Sequence, residues 1–404
     1  MAKLSTGKFI SIFLAIGILT GPLFDFISTY LSHIGAEFSR ATLITRGVFI
    51  SSAITLSILI DPKRDPSKLI KFILLATILP MSAWFILGIY SSTAFFESLA
   101  FLIKAVSLFS FVSLFSVTTE NNKLKIHTII TLTLYIYMLF IIAGALFGIE
   151  MFESYKTIER FGYKGIILAQ NEASGLIFVA LLIVGLKALT NTLKTIDKGL
   201  LIITSIASLL LGTKPGLIMP VAILAIIYIS NKGYIKALPK ITTTTIYSLI
   251  IAITAYLYIP SISNAINSSL GYFMYQFENY ANGSLFTLLL SGRDNKLEYA
   301  ITNYILQNPA YIFTGGYPIG EYLVEIDFID LSLMFGIPIF VIYLLGLYNI
   351  FKTTKNTKLS RYYTLAFISI LLLTNTAGHI LTSALLIPYL AYFIHLKNLK
   401  YEKN

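Results

Sequence analysis

The stretch "KIHTIITLTLYIYMLFIIAGALFGI", residues 125–149, decides the fold of this chain. Its only strongly basic residue is the first, and the run is long enough to cross a hydrocarbon core of about 30 Å as an α-helix. Similar runs recur through the 404 residues, of which 56% are hydrophobic and only 12% are charged. Since ordinary soluble domains carry about 25% charged residues, the sequence predicts an all-α, polytopic membrane protein.

The apolar runs predict about twelve transmembrane helices in a single integral membrane domain, residues 1–404. The predicted spans cover about 9–31, 41–60, 69–90, 95–118, 125–149, 166–189, 198–212, 215–231, 242–260, 327–351, 361–376 and 378–396. The seventh and eighth are short and separated only by "GTKPG", so they form either a tilted pair or a re-entrant hairpin. Two polar segments lie on one side: a smaller loop at 150–165 and a large, partly helical loop at 261–325.

Lys and Arg residues are distributed unevenly between the two sides of this bundle. Of the 30, 21 lie in the termini and in connections on the same side, eight lie in the opposite connections, and Lys104 lies inside a span. Because cytoplasmic connections carry excess Lys and Arg, we expect both termini to face the cytoplasm. The net charge of +11 then follows from topology, and a nucleic-acid partner is not expected.

Acidic residues concentrate on the opposite, outer side, where 14 of the 19 Asp and Glu residues lie when Asp25 is counted. The large loop lies there too. Its segment "DNKLEYAITNYILQNP" predicts a helix ended by Pro309, and "FTGGYPIGEY" predicts a Gly-rich, flexible connector. An enzyme acting on an extracytoplasmic substrate needs such a loop, whereas a transporter does not.

The most unusual outer-face cluster is acidic, in "VEIDFID" at the exit of the large loop. Asp327 and Asp330 are three residues apart and share a helix face, while Glu325 points elsewhere. A carboxylate is a natural base to take a proton from a sugar hydroxyl, so these three are the catalytic candidates. The alternative is structural, because acids in the first helical turn also favour the positive end of the helix dipole.

Three further outer-face clusters carry the cations Arg160 and Lys164, Lys214 in "LLLGTKPG", and Arg293 in "LLLSGRDN". Arg offers a planar fork to phosphate oxygens and Lys a compact charge, so converging cations suit a diphosphate. Each cluster has a simpler explanation. Arg160 and Lys164 would anchor the interface, Lys214 would snorkel from a loop, and Arg293 would cap a helix or pair with a neighbouring acid, Asp294 or Glu298.

Two more residues are candidates for substrate binding. Lys104 lies deep in the fourth span, where an ionisable group is a functional hypothesis by default, although a structural partner such as Asp25 explains it equally well. His379, in "NTAGH", lies at the outer turn between the last two spans and is a candidate for an outer-face site. His and carboxylate spacings predict no metal site, no cofactor is expected, and the absence of Cys excludes thiolate chemistry.

Four segments, in order, resemble the bacterial O-antigen polymerase and O-antigen ligase superfamily over about 155–345. "RFGYKGIILAQNEAS" resembles its Arg–Gly segment and "NPNE"-like start of a span, and "LLLGTKPGLIMPVAILAI" its "TGSRG" turn, with Lys214 where Arg is usual. "SGRDNKLEYAI", with the "NP" and "FTGGYPIG" that follow, resembles the large periplasmic loop, without its usual Trp. "VEIDFIDLSLMFGI" resembles the loop exit, which in ligases usually carries His-Asn and in many polymerases carries acids.

The resemblance implies a GT-C-like, metal-independent, inverting glycosyltransferase of the bacterial inner membrane with its active site facing the periplasm. It would transfer a growing glycan from undecaprenyl diphosphate to the non-reducing end of another undecaprenyl-diphosphate-linked repeat unit. Arg160, Lys214 and Arg293 would bind the diphosphate, and one outer acid would be the base. Membrane lipids and a chain-length regulator are further expected partners. The alternatives are an O-antigen ligase, with lipid A core as acceptor, and a lipid-linked oligosaccharide flippase.

Overall fold

The computed structural model describes residues 6–36, 41–60, 65–118, 120–155, 161–258, 260–279, 284, 287, 290–354 and 357–398. Within these ranges the regular structure is helical, and the only β pairing is an isolated bridge between Glu153 and Tyr163. The predicted all-α class is therefore confirmed for this part of the chain.

Sixteen α-helices follow one another in the described residues. In chain order they are α1 (Thr6–His33), α2 (Ala41–Ile60), α3 (Asp65–Ile86), α4 (Ser92–Val117), α5 (Glu120–Phe147), α6 (Gln170–Leu189), α7 (Thr195–Leu210), α8 (Lys214–Lys232), α9 (Tyr234–Tyr258), α10 (Pro260–Asn279), α11 (Arg293–Ala300), α12 (Tyr311–Thr314), α13 (Asp327–Phe335), α14 (Ile337–Phe351), α15 (Thr357–Ala377) and α16 (Leu386–Leu396). A 3₁₀ turn, Glu150–Phe152, precedes α6, and a π-helical turn, Ile301–Ile305, continues α11.

Eight helices in the described part are long and apolar enough to cross a membrane: α1 to α6, α8 and α9. They coincide with eight of the twelve predicted spans. Large apolar side chains on their outer surfaces, such as Leu59 and Leu75, are exposed rather than packed against other helices. This is the surface that lipid covers in a helical bundle, and the chain is accordingly a polytopic membrane protein.

The other four predicted spans, 198–212, 327–351, 361–376 and 378–396, are not among these eight helices, so the number twelve is not confirmed. Helix α7 has 16 residues and α16 only 11. The span predicted at 327–351 is two helices, because Gly336 between them has φ +74°. A Cβ at Gly336 would also clash with the carbonyl oxygen of Phe313, so this break requires glycine.

The centre of the bundle is formed by α4, α6 and the C-terminal helix α16. Every residue of α16 is buried, and α6 is buried along most of its length. A helix that is apolar all round must be enclosed by other helices. Aromatic contacts join α16 to its neighbours, with ring centroids 5.7 Å apart for Phe115 and Tyr392 and 5.0 Å apart for Tyr363 and Phe393.

Residues predicted to lie on the cytoplasmic side meet at one end of the bundle. Lys187 Nζ donates to Asp197 Oδ1 at 2.6 Å and lies 2.5 Å from His127 Nε2, which joins α5, α6 and α7. Lys397 donates to the carbonyl oxygen of Lys352 at 3.0 Å, which joins the C-terminus to the end of α14. Both contacts join segments that the charge distribution predicts to lie on the cytoplasmic side.

The large loop is helical, as the sequence predicts, but its last part is not a flexible connector. Helix α11 and the π-helical turn occupy the segment predicted as helix. Residues 315–319 are buried, and Trp84 Nε1 donates to the carbonyl oxygen of Gly315 at 3.2 Å. The backbone N–H of Gly320 donates to Ser98 Oγ at 3.1 Å. The glycines allow close backbone approach, so this segment packs firmly against the outer ends of α3 and α4.

Candidate functional site

Asp327, at the start of α13, is fully buried and holds a neighbouring backbone segment in place. Its carboxylate accepts the backbone N–H of His379 at 2.6 Å and of Leu381 at 3.0 Å. The hydroxyl of Thr374 donates to it as well. Asp327 thus fixes residues 378–385, the irregular connection between α15 and α16, and its oxygens are already occupied. Its geometry does not favour the predicted role as a base.

Asp330, one turn later in α13, is also fully buried and also accepts hydrogen bonds from the backbone. It accepts the N–H of Val324 at 3.0 Å and of Glu325 at 2.9 Å, so it fixes the loop exit. Helix α13 lies outside the eight candidate spans. Burial raises the pKa of Asp330 to about 7, against the opposing effect of the two backbone donors. The two acids share a helix face, yet each organises a different loop.

Glu325 is the member of the acidic cluster that solvent reaches, with 36% of its side chain exposed. Its carboxylate accepts a hydrogen bond from Lys296 Nζ at 2.6 Å and lies 3.7 Å from Arg293 Nε. Its backbone has φ +66°, which is uncommon for a residue with a Cβ. Such strain persists where the surroundings enforce it, often at functional sites. Here the bonds to Asp330 enforce it.

Arg293 is the first residue of α11, and it is buried, unlike a cation that is available to a ligand in solvent. Its guanidinium donates to the carbonyl oxygens of Thr376 at 2.5 Å and Ala377 at 2.9 Å, at the end of α15. A cation there suits the negative end of the helix dipole. Burial lowers the pKa of Arg293, while Glu325 raises it. Arg293 therefore pairs with Glu325 across the loop, and not with a neighbouring acid in its own helix.

His379 lies in the same site, as predicted for its position. Its imidazole Nδ1 is 3.6 Å from Asp327 Oδ1, and 29% of its side chain is exposed. The ring meets Phe101 edge-on, with centroids 6.3 Å apart. His379 also has a positive φ, +55°, immediately after Gly378. This local geometry places an exposed imidazole next to the loop that Asp327 holds; its role in substrate binding stays a prediction.

Lys214 and Lys164 lie near the outer end of α6 rather than beside Glu325. Lys214 begins α8 and is half-buried, and the preceding Thr213 caps that helix by accepting the N–H of Gly216 at 3.0 Å. The Thr213 hydroxyl is 3.4 Å from that of Ser174 on α6. Lys164 Nζ donates to the carbonyl oxygen of Leu168 at 2.6 Å. Lys164 thus takes part in local structure, and phosphate binding by Lys164 and Lys214 stays a prediction.

Lys104 is half-buried inside α4, and no ion pair joins it to another residue in the described ranges. The structural alternative that pairs it with Asp25 does not hold, because Asp25 is paired with Arg46. Arg160, the remaining predicted diphosphate ligand, lies outside the described residues.

A buried charge network around Arg46 was missed by the sequence reasoning. Arg46 Nη2 lies 2.5 Å from Asp25 Oδ2, and Nη1 lies 3.5 Å from Glu172 Oε2. Tyr137 donates to Asp25 at 2.6 Å, and Ser383 donates to Glu172 at 2.7 Å. This Arg46 cluster joins α1, α2, α5 and α6 to residues 378–385. Arg46 and Glu172 are 126 positions apart, so no local pattern links them.

Lys296 and a group of tyrosines near Glu325 were also missed. Lys296 lies three residues after Arg293, so helical periodicity places the two on one face of α11. This spacing is a feature of the sequence from which Lys296 could have been found. Tyr299 is 49% exposed, and its ring centroid is 4.7 Å from that of Tyr322. Tyr304, in the π-helical turn, stacks on Tyr322 at 6.0 Å. π-Helical turns are frequent at functional sites.

The Glu325 cluster, defined as Glu325, Lys296, Arg293, His379 and the adjacent Tyr299, offers solvent a carboxylate, an ammonium, an imidazole and an aromatic face. These groups suit proton abstraction from a hydroxyl, charge stabilisation and contact with a sugar. Among the residues that the structure describes, no group of three or more His, Asp or Glu side chains is arranged to hold a metal ion.

Comparisons with protein-family models, with curated proteins and with solved structures give no match to this chain.

Proposed function

We propose that the chain is a membrane glycosyltransferase that polymerises a surface polysaccharide of the O-antigen type. It transfers a growing glycan from undecaprenyl diphosphate to another undecaprenyl-diphosphate-linked repeat unit. The proposal includes a GT-C-like bundle in the bacterial inner membrane, with the Glu325 cluster at its periplasmic mouth. It rests on the order of the four resembling segments, and on the geometry of the acidic segment among them.

One observation carries the proposal: Glu325 is a solvent-accessible carboxylate held by two cations at the exit of the large loop. Asp327 and Asp330 hold the loops on either side of it through backbone hydrogen bonds. Catalytic groups work best when neighbouring residues fix their position. Of the three acids that the sequence makes candidates, Glu325 is thus the one that we assign as the base.

In the proposed reaction, an acceptor sugar hydroxyl gives its proton to Glu325, and its oxygen attacks the anomeric carbon of the donor glycan. A new carbon–oxygen bond forms as the bond from that carbon to the diphosphate breaks. The bonding electron pair leaves with the diphosphate, and the configuration inverts in this single displacement. Once the diphosphate has left, it takes the proton from Glu325, which restores the carboxylate.

The leaving diphosphate needs positive charge where water is scarce. Lys296, whose side chain is 41% exposed, and His379 are the accessible groups next to Glu325. Arg293 instead acts through Glu325 and the end of α15, as a positioning residue. The exposed ring of Tyr299 offers a flat apolar surface to a sugar ring. Lys214, Lys164 and Arg160 remain candidates for the lipid-proximal part of the donor.

The experiment is the lipopolysaccharide banding pattern of a deletion strain that expresses the variant Glu325→Gln. The amide cannot accept the proton, so we expect loss of long chains, with single repeats still attached to lipid A core. Glu321→Gln is the matched control, because Glu321 is an exposed acid four residues earlier in the same loop. It should give a normal ladder, and both variants should reach the membrane in normal amounts.

A normal ladder from a well-expressed Glu325→Gln variant would remove Glu325 from the chemistry. The deletion strain itself separates the competing functions. Loss of the ladder with one repeat retained on core supports a polymerase, whereas loss of every repeat from core indicates a ligase or a flippase.

A further inference from the structure

A cavity of about 520 Å³ opens at the predicted cytoplasmic end of the bundle, far in the fold from the Glu325 cluster. It lies between the end of α14 and the start of α15, and its polar lining includes Lys352, Thr357, Ser360 and Arg361. Its volume is in the range of small-molecule sites, about 300–1,000 Å³. Nothing in the proposed reaction uses it.

The cavity is strongly cationic. From Leu331 to Tyr401 the sequence contains six Lys and Arg residues and no Asp or Glu. In the described part of the chain, no carboxylate forms an ion pair with Lys352 or Arg361. The Arg361 guanidinium lies beside the α8–α9 turn, where a Cβ at Gly233 would be 3.5 Å from its Nη1. Among the described residues, two cations therefore line one cavity without a carboxylate paired to either of them.

The polar groups have the chemistry of a phosphate site. Arg361 presents a planar fork and Lys352 a compact charge, which phosphate oxygens accept. The hydroxyls of Thr357 and Ser360 add two donors on the first turn of α15, a helix of 21 residues. The backbone N–H groups of such a turn add partial positive charge. The shared ligand chemistry is a phosphate monoester or diester.

The surroundings favour a lipid over a free phosphate. Tyr348 and Phe367 line the same cavity, with ring centroids 6.2 Å apart. Exposed apolar side chains continue from it along one face of each helix, namely Val341 and Leu345 on α14 and Ile368 and Leu372 on α15. Their spacing of four residues keeps each pair on one face. A ligand with a phosphate head and apolar chains matches both the cationic lining of the cavity and the exposed apolar faces of α14 and α15.

We propose that this cavity is a binding site for an anionic phospholipid of the cytoplasmic leaflet, with the phosphate at Lys352 and Arg361 and the acyl chains along α14 and α15. Basic pockets between helices on the cytoplasmic side are suited to such head groups. The bound lipid bridges the end of α14 and the start of α15, and so holds the two helices together at that end. The site is independent of the proposed reaction.

The test uses the full-length protein purified in detergent, titrated with phosphatidylglycerol or phosphatidylcholine, with bound lipid counted by native mass spectrometry. Phosphatidylglycerol should be retained in preference to phosphatidylcholine. The double variant Lys352→Gln/Arg361→Gln should weaken phosphatidylglycerol binding about tenfold or more, since each cation near a charged surface contributes roughly 1 kcal/mol. Ser360→Phe, which keeps both cations and fills the cavity, should weaken it as well.

Lys236→Gln/Lys240→Gln is the matched control, because it removes two exposed cations from α9 on the same predicted side. It should bind phosphatidylglycerol like the unmodified protein. An equal loss in this control would show a general charge effect and overturn the site. Unchanged binding in the Lys352/Arg361 and Ser360 variants would overturn it too. Displacement of the lipid by millimolar inorganic phosphate would instead indicate a free-anion site.

Discussion

The Arg46 cluster and the Glu325 cluster both join carboxylates to cations on the predicted outer side of the bundle, but they differ in access to solvent. Asp25 is fully buried and Arg46 nearly so. Both Asp25 oxygens are taken, by Arg46 and Tyr137 on one and Thr42 on the other. Glu325 is partly exposed and held by two cations from a single helix.

The difference shows how burial separates enclosed charge from charge that solvent reaches. Removing one partner of an ion pair enclosed by helices is costly, because the remaining charge is left without solvent. An exposed pair contributes little to stability. The same residue types thus connect four helices in the Arg46 cluster and present a solvent-accessible carboxylate in the Glu325 cluster. The following variants test this contrast.

Arg46→Gln should have the largest effect on stability, because it leaves the buried carboxylate of Asp25 without its cation. Removing one partner of such a pair typically costs about 3–5 kcal/mol. Thermal unfolding of the purified protein should show a clear decrease in midpoint, and the amount in membranes should fall.

Two further variants make this test specific. Asp25→Asn/Arg46→Gln should recover much of the loss, because the fully buried carboxylate is removed together with its cation, while Glu172 keeps its hydrogen bond from Ser383. Lys240→Gln, an exposed cation, should be neutral. A double variant as unstable as the single one would show that charge pairing is not what Arg46 supplies.

Asp330→Asn should have an intermediate effect. The amide accepts one backbone N–H and turns a donor toward the other, and an unsatisfied buried donor costs about 1–3 kcal/mol. The loss also depends on pH. Because the folded-state pKa of Asp330, about 7, exceeds the unfolded value of about 4, the folded protein binds a proton that the unfolded chain releases.

The free energy of unfolding of the unmodified protein should therefore fall as pH rises from about 4 to about 7. The deficit of Asp330→Asn should then be largest near pH 4 and shrink toward pH 7, measured as unfolding midpoints across that range. Asp65→Asn, at a fully exposed carboxylate, is the control for the exchange of carboxylate for amide and should change the unfolding midpoint little. A deficit that grows with pH would contradict the raised pKa.

Lys296→Gln should have the smallest effect on stability, within about 0.5 kcal/mol, because both members of its pair with Glu325 are partly exposed. Its effect should appear in function, as shorter or fewer polysaccharide chains on the lipopolysaccharide ladder. A decrease in unfolding midpoint comparable to that of Arg46→Gln would mean that the Glu325 cluster stabilises the fold as the Arg46 cluster does.

Much of the fold was predictable because it depends on properties that are local in sequence. Eight of the twelve predicted spans coincide with helices that are long and apolar enough to cross a membrane. The helical character of the large loop was also readable, from periodicity and from Pro309. The break at Gly336 was harder, because its positive φ matters only when the chain packs against Phe313. No residue near Gly336 in the sequence indicates its contact with Phe313.

The candidate site was predictable only in part. The sequence marked Glu325, Asp327, Asp330, Arg293 and His379 as unusual, and the structure brings all five together. The sequence could not show which of the three acids is least occupied by hydrogen bonds. That depends on which backbone N–H groups point at each carboxylate. The pairing of Arg46 with Glu172 likewise depends on helices far apart in the chain, and its pairing with Asp25 depends on how the consecutive helices α1 and α2 pack.

By itself, the sequence determined that this chain is an all-α membrane protein, because hydropathy acts residue by residue. Its charge pattern predicts acids gathered on one side and most cations on the other. Only the tertiary structure decided which charges are enclosed and which meet solvent. Burial is a property of the packed bundle: the folding of the chain encloses Asp25, Asp327 and Asp330 and leaves Glu325 at the surface.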